Sequence, residues 1–116
     1  MKENIIKDKS FNFALRIVKF YQFFTESKRE YVLSKQLLRS ATSVGAMIRE
    51  SEHAESKADF IHKLSIALKE ANESEYWIEL LHKSNYIDDI QFKSLSDDLV
   101  EILKLLVSIL KKLKGK

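Results

Sequence analysis

The chain contains no cysteine and no proline, and only two glycines, Gly45 and Gly115, among 116 residues. Without cysteine there can be no disulfide, no thiolate metal site and no cysteine nucleophile. Without proline, and with so little glycine, sheet architectures lose their usual turn punctuation, while nothing breaks a long helix. Long apolar runs are missing as well. The greasiest stretch, near the C-terminus, is interrupted by Lys104 and Lys111, short of the roughly 20 residues that span a bilayer. The opening MKENIIKDKS has no apolar core of the signal-peptide kind. Together these absences predict an all-helical, cytoplasmic protein with no membrane association. A content of 45% hydrophobic and 32% charged residues suits one domain over residues 1–116 that buries roughly two thirds of its unfolded surface.

What is present reads as four amphipathic helices. Phe13, Ile17, Phe20 and Phe24 recur at intervals of four, three and four, predicting a first helix over about residues 11–25. Ser27 and Glu30 have capping-box spacing and predict a second helix over about 28–53, with Leu37, Ala41, Val44 and Ile48 inward. Ser56 and Asp59 open a third over about 57–84, lined by Phe60, Leu64, Ala67, Ala71 and Ile78, with Asn85 as a left-handed terminator. Asp88 and Gln91 open a fourth over about 89–114, where Leu95, Leu99, Ile102, Leu106, Ile109 and Leu113 make a heptad seam broadened by Leu103 and Leu110. Short links favour antiparallel neighbours, hence an up-down-up-down four-helix bundle. Only the ends, about eight residues before the first helix and the final Gly115 and Lys116, are expected to lack structure.

The second helix is apolar or small nearly all round. With Ala41 facing the core, a turn of about 100° per residue places Arg39, Ser43, Ala46 and Glu50 on the opposite side. Ser43 and Ala46 leave that side flat enough for another helix to approach, with Arg39 and Glu50 as polar contacts at its ends, which points to a subunit interface. Trp77 and Leu80 lie off the inward stripe of the third helix and Leu105 flanks that of the fourth, so more apolar surface remains than one bundle can hide. The alternative is a solvated face that uses Ser and Ala for their helix propensity.

The stretch SKQLLRSATSVGAMIRE, Ser34 to Glu50, together with DFIHKLSIALKEANESEYWIELL, Asp59 to Leu81, resembles the bacterial four-helix bundle family known as 23S rRNA intervening-sequence protein or S23 ribosomal protein. The likeness runs from about Phe11 to Leu113. It implies a compact bundle that assembles into a homopentameric ring. It also implies similarity to the accessory variability protein of diversity-generating retroelements, which binds nucleic acid.

The formal charge of +3 hides an uneven distribution. In an up-down-up-down bundle, residues 1–10, 49–63 and 104–116 share one pole, with eleven basic against six acidic residues. The pole therefore carries +5 and the remainder −2. Several such poles in a ring would attract phosphates in a salt-dependent way. Candidate phosphate contacts are Arg16, Lys19, Arg39, Lys111 and Lys112, and Phe23, beside the cations of the first helix, could stack on an unpaired base. None of these supplies a sequence code, so contact would be to the RNA or DNA backbone or to its shape. Two plainer readings stand beside this one. Lysines in a last helical turn complement the helix dipole and keep the helix soluble, and Phe23 can pack against a neighbouring subunit. A scaffold ring that binds another protein is the competing functional class.

Catalysis finds little footing. Glu50 with His53 and Glu79 with His82 have the Glu-x-x-His spacing of di-metal bundles. The two levels are about 33 Å apart at 1.5 Å per residue along the third helix, so they cannot share a cluster. His62 has no triad-like partner, there is no glycine-rich phosphate loop, and Ser40 and Ser43 lie within a helix. No catalytic residue, metal ligand or cofactor is therefore expected.

Overall fold

The computed structural model describes residues 2–115. Four helices, α1 (Lys2–Phe23), α2 (Leu33–Ser51), α3 (Lys57–Lys83) and α4 (Asp89–Leu113), form an antiparallel up-down-up-down bundle, with no strand among the described residues. Each helix packs on its two neighbours around the ring, in a rod of 45 × 22 × 19 Å.

The expected stripes meet along the axis. Phe13, Ile17 and Phe24 from the first segment, Leu37, Ala41, Val44 and Ile48 from α2, and Leu64, Ala67, Ala71 and Ile78 from α3 are all buried. So are Leu95, Leu99, Ile102, Leu106, Ile109 and Leu110 of α4, while Phe20, Phe60, Leu103 and Leu113 pack half-buried at the margin. The core also takes in Ile6, Leu81 and Ile87. Small residues dominate the α2–α3 seam. Ser40 and Ser74, both fully buried, face each other with 2.8 Å between their hydroxyl oxygens, and Ser74 Oγ also donates to Glu70 O at 2.9 Å.

Three boundaries differ from the sequence-based expectation. Most of the N-terminal segment expected to lack structure is helical from Lys2, because Ile6 and Ser10, each 1% exposed, carry the α1 stripe a further two turns. Ser10 hides that extension in the sequence: its hydroxyl donates to Lys7 O at 3.1 Å, which lets a polar residue sit in the seam. A β-carbon at Gly45 would stand 3.4 Å from Ser10 O, so α1 and α2 nearly touch there. At the other end of the chain, Gly115 closes α4 with φ +80°. Met1 and Lys116 lie outside the described residues.

The second difference is at the α1–α2 turn. Ser27 and Glu30 form no capping box; Phe24–Lys28 instead continues α1 as a π-helical turn, ended by Arg29 in the left-handed conformation, φ 55°. Helix α2 begins five residues later than expected, at Leu33, and Glu30 caps it from outside. Its carboxylate accepts from the backbone amides of Val32 at 2.9 Å, Leu33 at 2.7 Å and Ser34 at 2.7 Å. A carboxylate therefore satisfies three of the free donors of the helix start and lies against its positive dipole end. At its other end α2 stops at Ser51, two residues earlier than expected.

The remaining caps follow the sequence. Ser56 accepts from Asp59 N at 3.0 Å, and Asp88 and Gln91 bond reciprocally at 2.8 and 3.0 Å. Asn85 has φ 68° and ends α3, with Tyr86 N donating to Leu81 O at 2.9 Å.

Glu30 sets a pH dependence. Burial alone would raise its carboxyl, but the amides of Leu33, Ser34 and Val32 outweigh it and hold the group below its ordinary range. A lowered folded-state pKa adds stability above the unfolded value of about 4.3, and that stability is lost as pH falls through the folded value. Glu30→Gln should cost about 1–2 kcal/mol at pH 7. In urea titrations the gap between the two proteins should narrow as pH falls below the unfolded value of about 4.3 and through the lowered folded one; a gap that stays constant with pH would refute the carboxylate cap.

Candidate functional site

All four helices meet at the pole predicted to be basic. Ile6 of α1, Ile48 and Ser51 of α2, Phe60 and Leu64 of α3 and Ile109 of α4 line one small cavity there of about 30 Å³. Part of the pole's charge is paired internally: Lys7 with Glu52 at 3.0 Å, and Lys63 with Glu50 at 3.1 Å. The hydrogen bond that Lys63 donates to the Glu50 carboxylate holds its ammonium above its ordinary pKa. The cations of α4 differ. Lys104, Lys111, Lys112 and Lys114 are exposed and make no ion pair among the described residues.

The two arginine candidates are held by their own bundle. Arg16 donates to Asp98 Oδ2 at 2.6 Å, to Ser94 Oγ at 2.6 Å and to Ser94 O at 3.2 Å, which ties α1 to α4. Arg39 donates to Glu70 at 3.4 Å and to Glu73, whose carboxylate also accepts from Trp77 Nε1 at 3.0 Å. The Trp77 indole, with Arg39, keeps the Glu73 carboxyl below its ordinary range, and Glu73 in turn raises the Arg39 guanidinium. Neither arginine is a free cation. Sequence periodicity could not reveal this, because Asp98, Glu70 and Glu73 lie on other helices.

Lys19 and Phe23 remain open, both exposed and one turn apart on α1, with Phe23 at 48%. They do not join the basic pole. The rise from Lys2 to Lys19 along α1 is about 26 Å at 1.5 Å per residue, so the two candidate patches lie toward opposite ends of the rod.

On α2, Arg39, Ala46 and Glu50 face outward and Ser43 is half-buried, its hydroxyl donating to Arg39 O at 2.8 Å. Glu50 is occupied by Lys63. Trp77, Leu80 and Leu105 are half-buried at the rim of the core. Apolar exposure beside Ala46 comes from Phe11, 52% exposed on α1, and one turn further along α1 Leu15 is 45% exposed. Phe11, Ala14, Thr42, Gly45 and Ala46 line a shallow groove of about 240 Å³, with the Arg49 guanidinium 5.6 Å from the Phe11 ring centre. A cation over a ring face adds attraction there. A second, larger groove of about 610 Å³ runs between α3 and α4 over Leu68, Asn72, Leu103 and Val107, with Lys104, Lys111 and Lys112 beside it.

Among the described residues no group of three His, Asp or Glu side chains is placed to hold a metal ion, and no helix is long and apolar enough to cross a membrane. Glu50 pairs with Lys63, and His82 Nε2 lies 2.7 Å from Asp89 Oδ1 while its ring stacks on Phe92 at 4.1 Å.

The described residues thus form an antiparallel four-helix bundle with exposed lysines toward the end of α4 and open grooves between α1 and α2 and between α3 and α4. Residues 2–108 match the family model described as 23S rRNA-intervening sequence protein, and the chain belongs to that family. It is similar to a solved structure from Bacteroides thetaiotaomicron, described as a protein with unknown function from the S23 ribosomal protein family. The two are 58% identical over 96% of this chain and 99% of that one, with a TM-score of 0.94. No curated protein matches the chain.

The different environments of the α1 cations can be measured. Arg16→Ala should cost about 0.5–1 kcal/mol in thermal or urea unfolding, whereas Lys19→Ala should change stability by less than about 0.3 kcal/mol. Equal effects would show that the Arg16 contacts to Ser94 and Asp98 contribute nothing.

Proposed function

We propose that this protein is a non-enzymatic, cytoplasmic, homo-oligomeric bundle that holds RNA or DNA against its basic pole with little sequence choice. The observation that carries this reading is the row of exposed α4 lysines, Lys104, Lys111, Lys112 and Lys114, which no acidic side chain among the described residues neutralises. Unpaired cations at one end of a rod form a counterion-releasing surface for phosphates, and copies arranged in a ring add their fields. The family's description by an intervening sequence of 23S rRNA fits a ribonucleic partner. With Arg16 and Arg39 engaged within the bundle, Lys111 and Lys112 are the principal phosphate contacts, and Lys19 with Phe23 forms a separate, secondary site.

Filter binding against structured RNA and single-stranded DNA tests this. Affinity should weaken more than about tenfold between 50 and 200 mM salt, and Lys111→Glu with Lys112→Glu should flatten the slope. Weak binding with no salt dependence rejects the reading.

Assembly is the second half of the proposal, with a pentameric ring expected by family resemblance. The α1–α2 groove is its candidate face: Phe11 and Ala46 line it, exposed beside small residues that permit close helix approach, and Leu15 is exposed one turn further along α1. Light scattering should give a multiple of the 13.6 kDa chain mass, and Ala46→Glu with Leu15→Glu should return it to a single chain without loss of helicity. A solitary wild-type chain at high concentration would overturn assembly.

A second reading, a scaffold that binds another protein, is favoured by one observation. The α3–α4 groove has an apolar floor of Leu68, Leu103 and Val107, for which phosphate contacts give no reason.

A further inference from the structure

The outer face of α4 carries an arrangement that helix propensity does not explain. Val100, Lys104, Val107 and Lys111 follow one another at intervals of four, three and four, so they share one stripe. Both valines are open to solvent, Val100 at 36% and Val107 at 41%. A β-branched residue is a weaker helix former than the Ala, Glu, Lys or Gln that an exposed helical position favours. Two such residues seven apart, one of them lining a groove, leave apolar surface open to solvent at positions where a better helix former would serve the isolated bundle.

The groove supplies the rest. Its floor of Leu68, Leu103 and Val107 is apolar, Asn72 lies at its α3 side, and Lys104, Lys111 and Lys112 stand along its α4 side. Its volume of about 610 Å³ and its open position between α3 and α4 suit two to three side chains of a helix laid into it rather than an enclosed small molecule. Lys104 and Lys111 are seven residues apart, about 10.5 Å along the axis, which is two turns of a partner helix. The lysines are unpaired among the described residues, so the charge that complements this edge must come from the occupant.

From this combination we infer that the α3–α4 groove is a docking site for an acidic amphipathic helix of a partner protein. Apolar side chains at i, i+3 or i+4 and i+7 would cover Leu103, Val107 and Leu68, and carboxylates flanking them would meet Lys104, Lys111 and Lys112. The inference rests on the protein-binding reading of this face. Nucleic acid or a second copy of the chain are the other occupants that the test must separate.

The probe is a fluorescein-labelled 18-residue helical peptide with leucines at i, i+3, i+4 and i+7 spacing and glutamates elsewhere. It is titrated with the full-length protein by fluorescence anisotropy. The expected dissociation constant is about 10–100 μM, weakened at least tenfold by Val107→Glu and also by Lys104→Glu with Lys111→Glu. A control peptide with lysine in place of glutamate should not bind. Val107 is solvent-exposed, so its substitution should leave the helical circular dichroism unchanged, and the lysine pair provides a second variant if it does not. No binding below about 1 mM overturns the inference. Peptide binding that both variants leave intact upholds a protein-binding role but removes this groove from it. Two further outcomes also overturn the inference: single-stranded RNA lost with Val107→Glu while the peptide never binds assigns the groove to nucleic acid, and a fall in light-scattering mass on Val107→Glu assigns it to a second copy.

Discussion

The close approach of α2 and α3 is the constraint from which the rest of this bundle follows. Ser40, Ala41, Ala67, Ala71 and Ser74 meet in that seam with no exposure, and the two serine hydroxyls sit at hydrogen-bond distance. Buried hydroxyls are costly unless bonded. Here each has a partner across the seam, and Ser74 also returns a bond to its own helix. Side chains this small leave little bulk at that level, beside the larger Leu37, Val44, Leu64 and Ile78 of the same two helices, and α1 and α4 supply further large residues that close the bundle around them. Phe13, Ile17 and Phe24 on one side and Leu95, Leu99, Ile102 and Leu106 on the other do that. The outward surfaces of α1 and α4 carry Phe11, Leu15, Val100 and Val107, where apolar area is left exposed.

Charge is divided by the same geometry. Cations near the middle of the rod are matched across helices, Arg16 with Asp98 and Arg39 with Glu70 and Glu73. Towards the end of α4 there is no acidic residue to match them: from Lys104 onward the sequence has lysines and no aspartate or glutamate. Where opposite charge is available the arginines act as ties between helices, and where it is absent the lysines project into solvent.

Much of the fold was legible because its rules are local or periodic. Heptad and 3.6-residue stripes placed the core residues of α2 and α4 correctly, and Ser56 with Asp59, the left-handed Asn85, and Asp88 with Gln91 marked the two ends of α3 and the start of α4. The misread elements were those in which a residue played an uncommon part. Ser10 continues an apolar stripe through a backbone bond, and Glu30 caps a helix from three residues before its start instead of within its first turn. The candidate site was less legible still. Whether an arginine is free depends on partners far along the chain, as Asp98 is from Arg16, and no periodic signal carries that. Phe11 and Leu15 were hidden for a related reason: their exposure depends on which face α1 turns to its neighbours. The valine–lysine stripe of α4 did stand in the sequence, but only the groove beside it gives it a meaning.

The π turn of Phe24–Lys28 has a bearing on how this molecule can change over evolutionary time. Such a turn holds one residue more than an α-helical turn, and it lies at the tip of the rod, after Phe24 has entered the core and before Glu30 begins to cap the next helix. Loss of a single codon there would return the segment to ordinary helical winding and leave the packed interior in register. Length variation among descendants of this gene should therefore collect at that tip, whereas an equivalent deletion within α2 or α3 would rotate half a helix away from its partners.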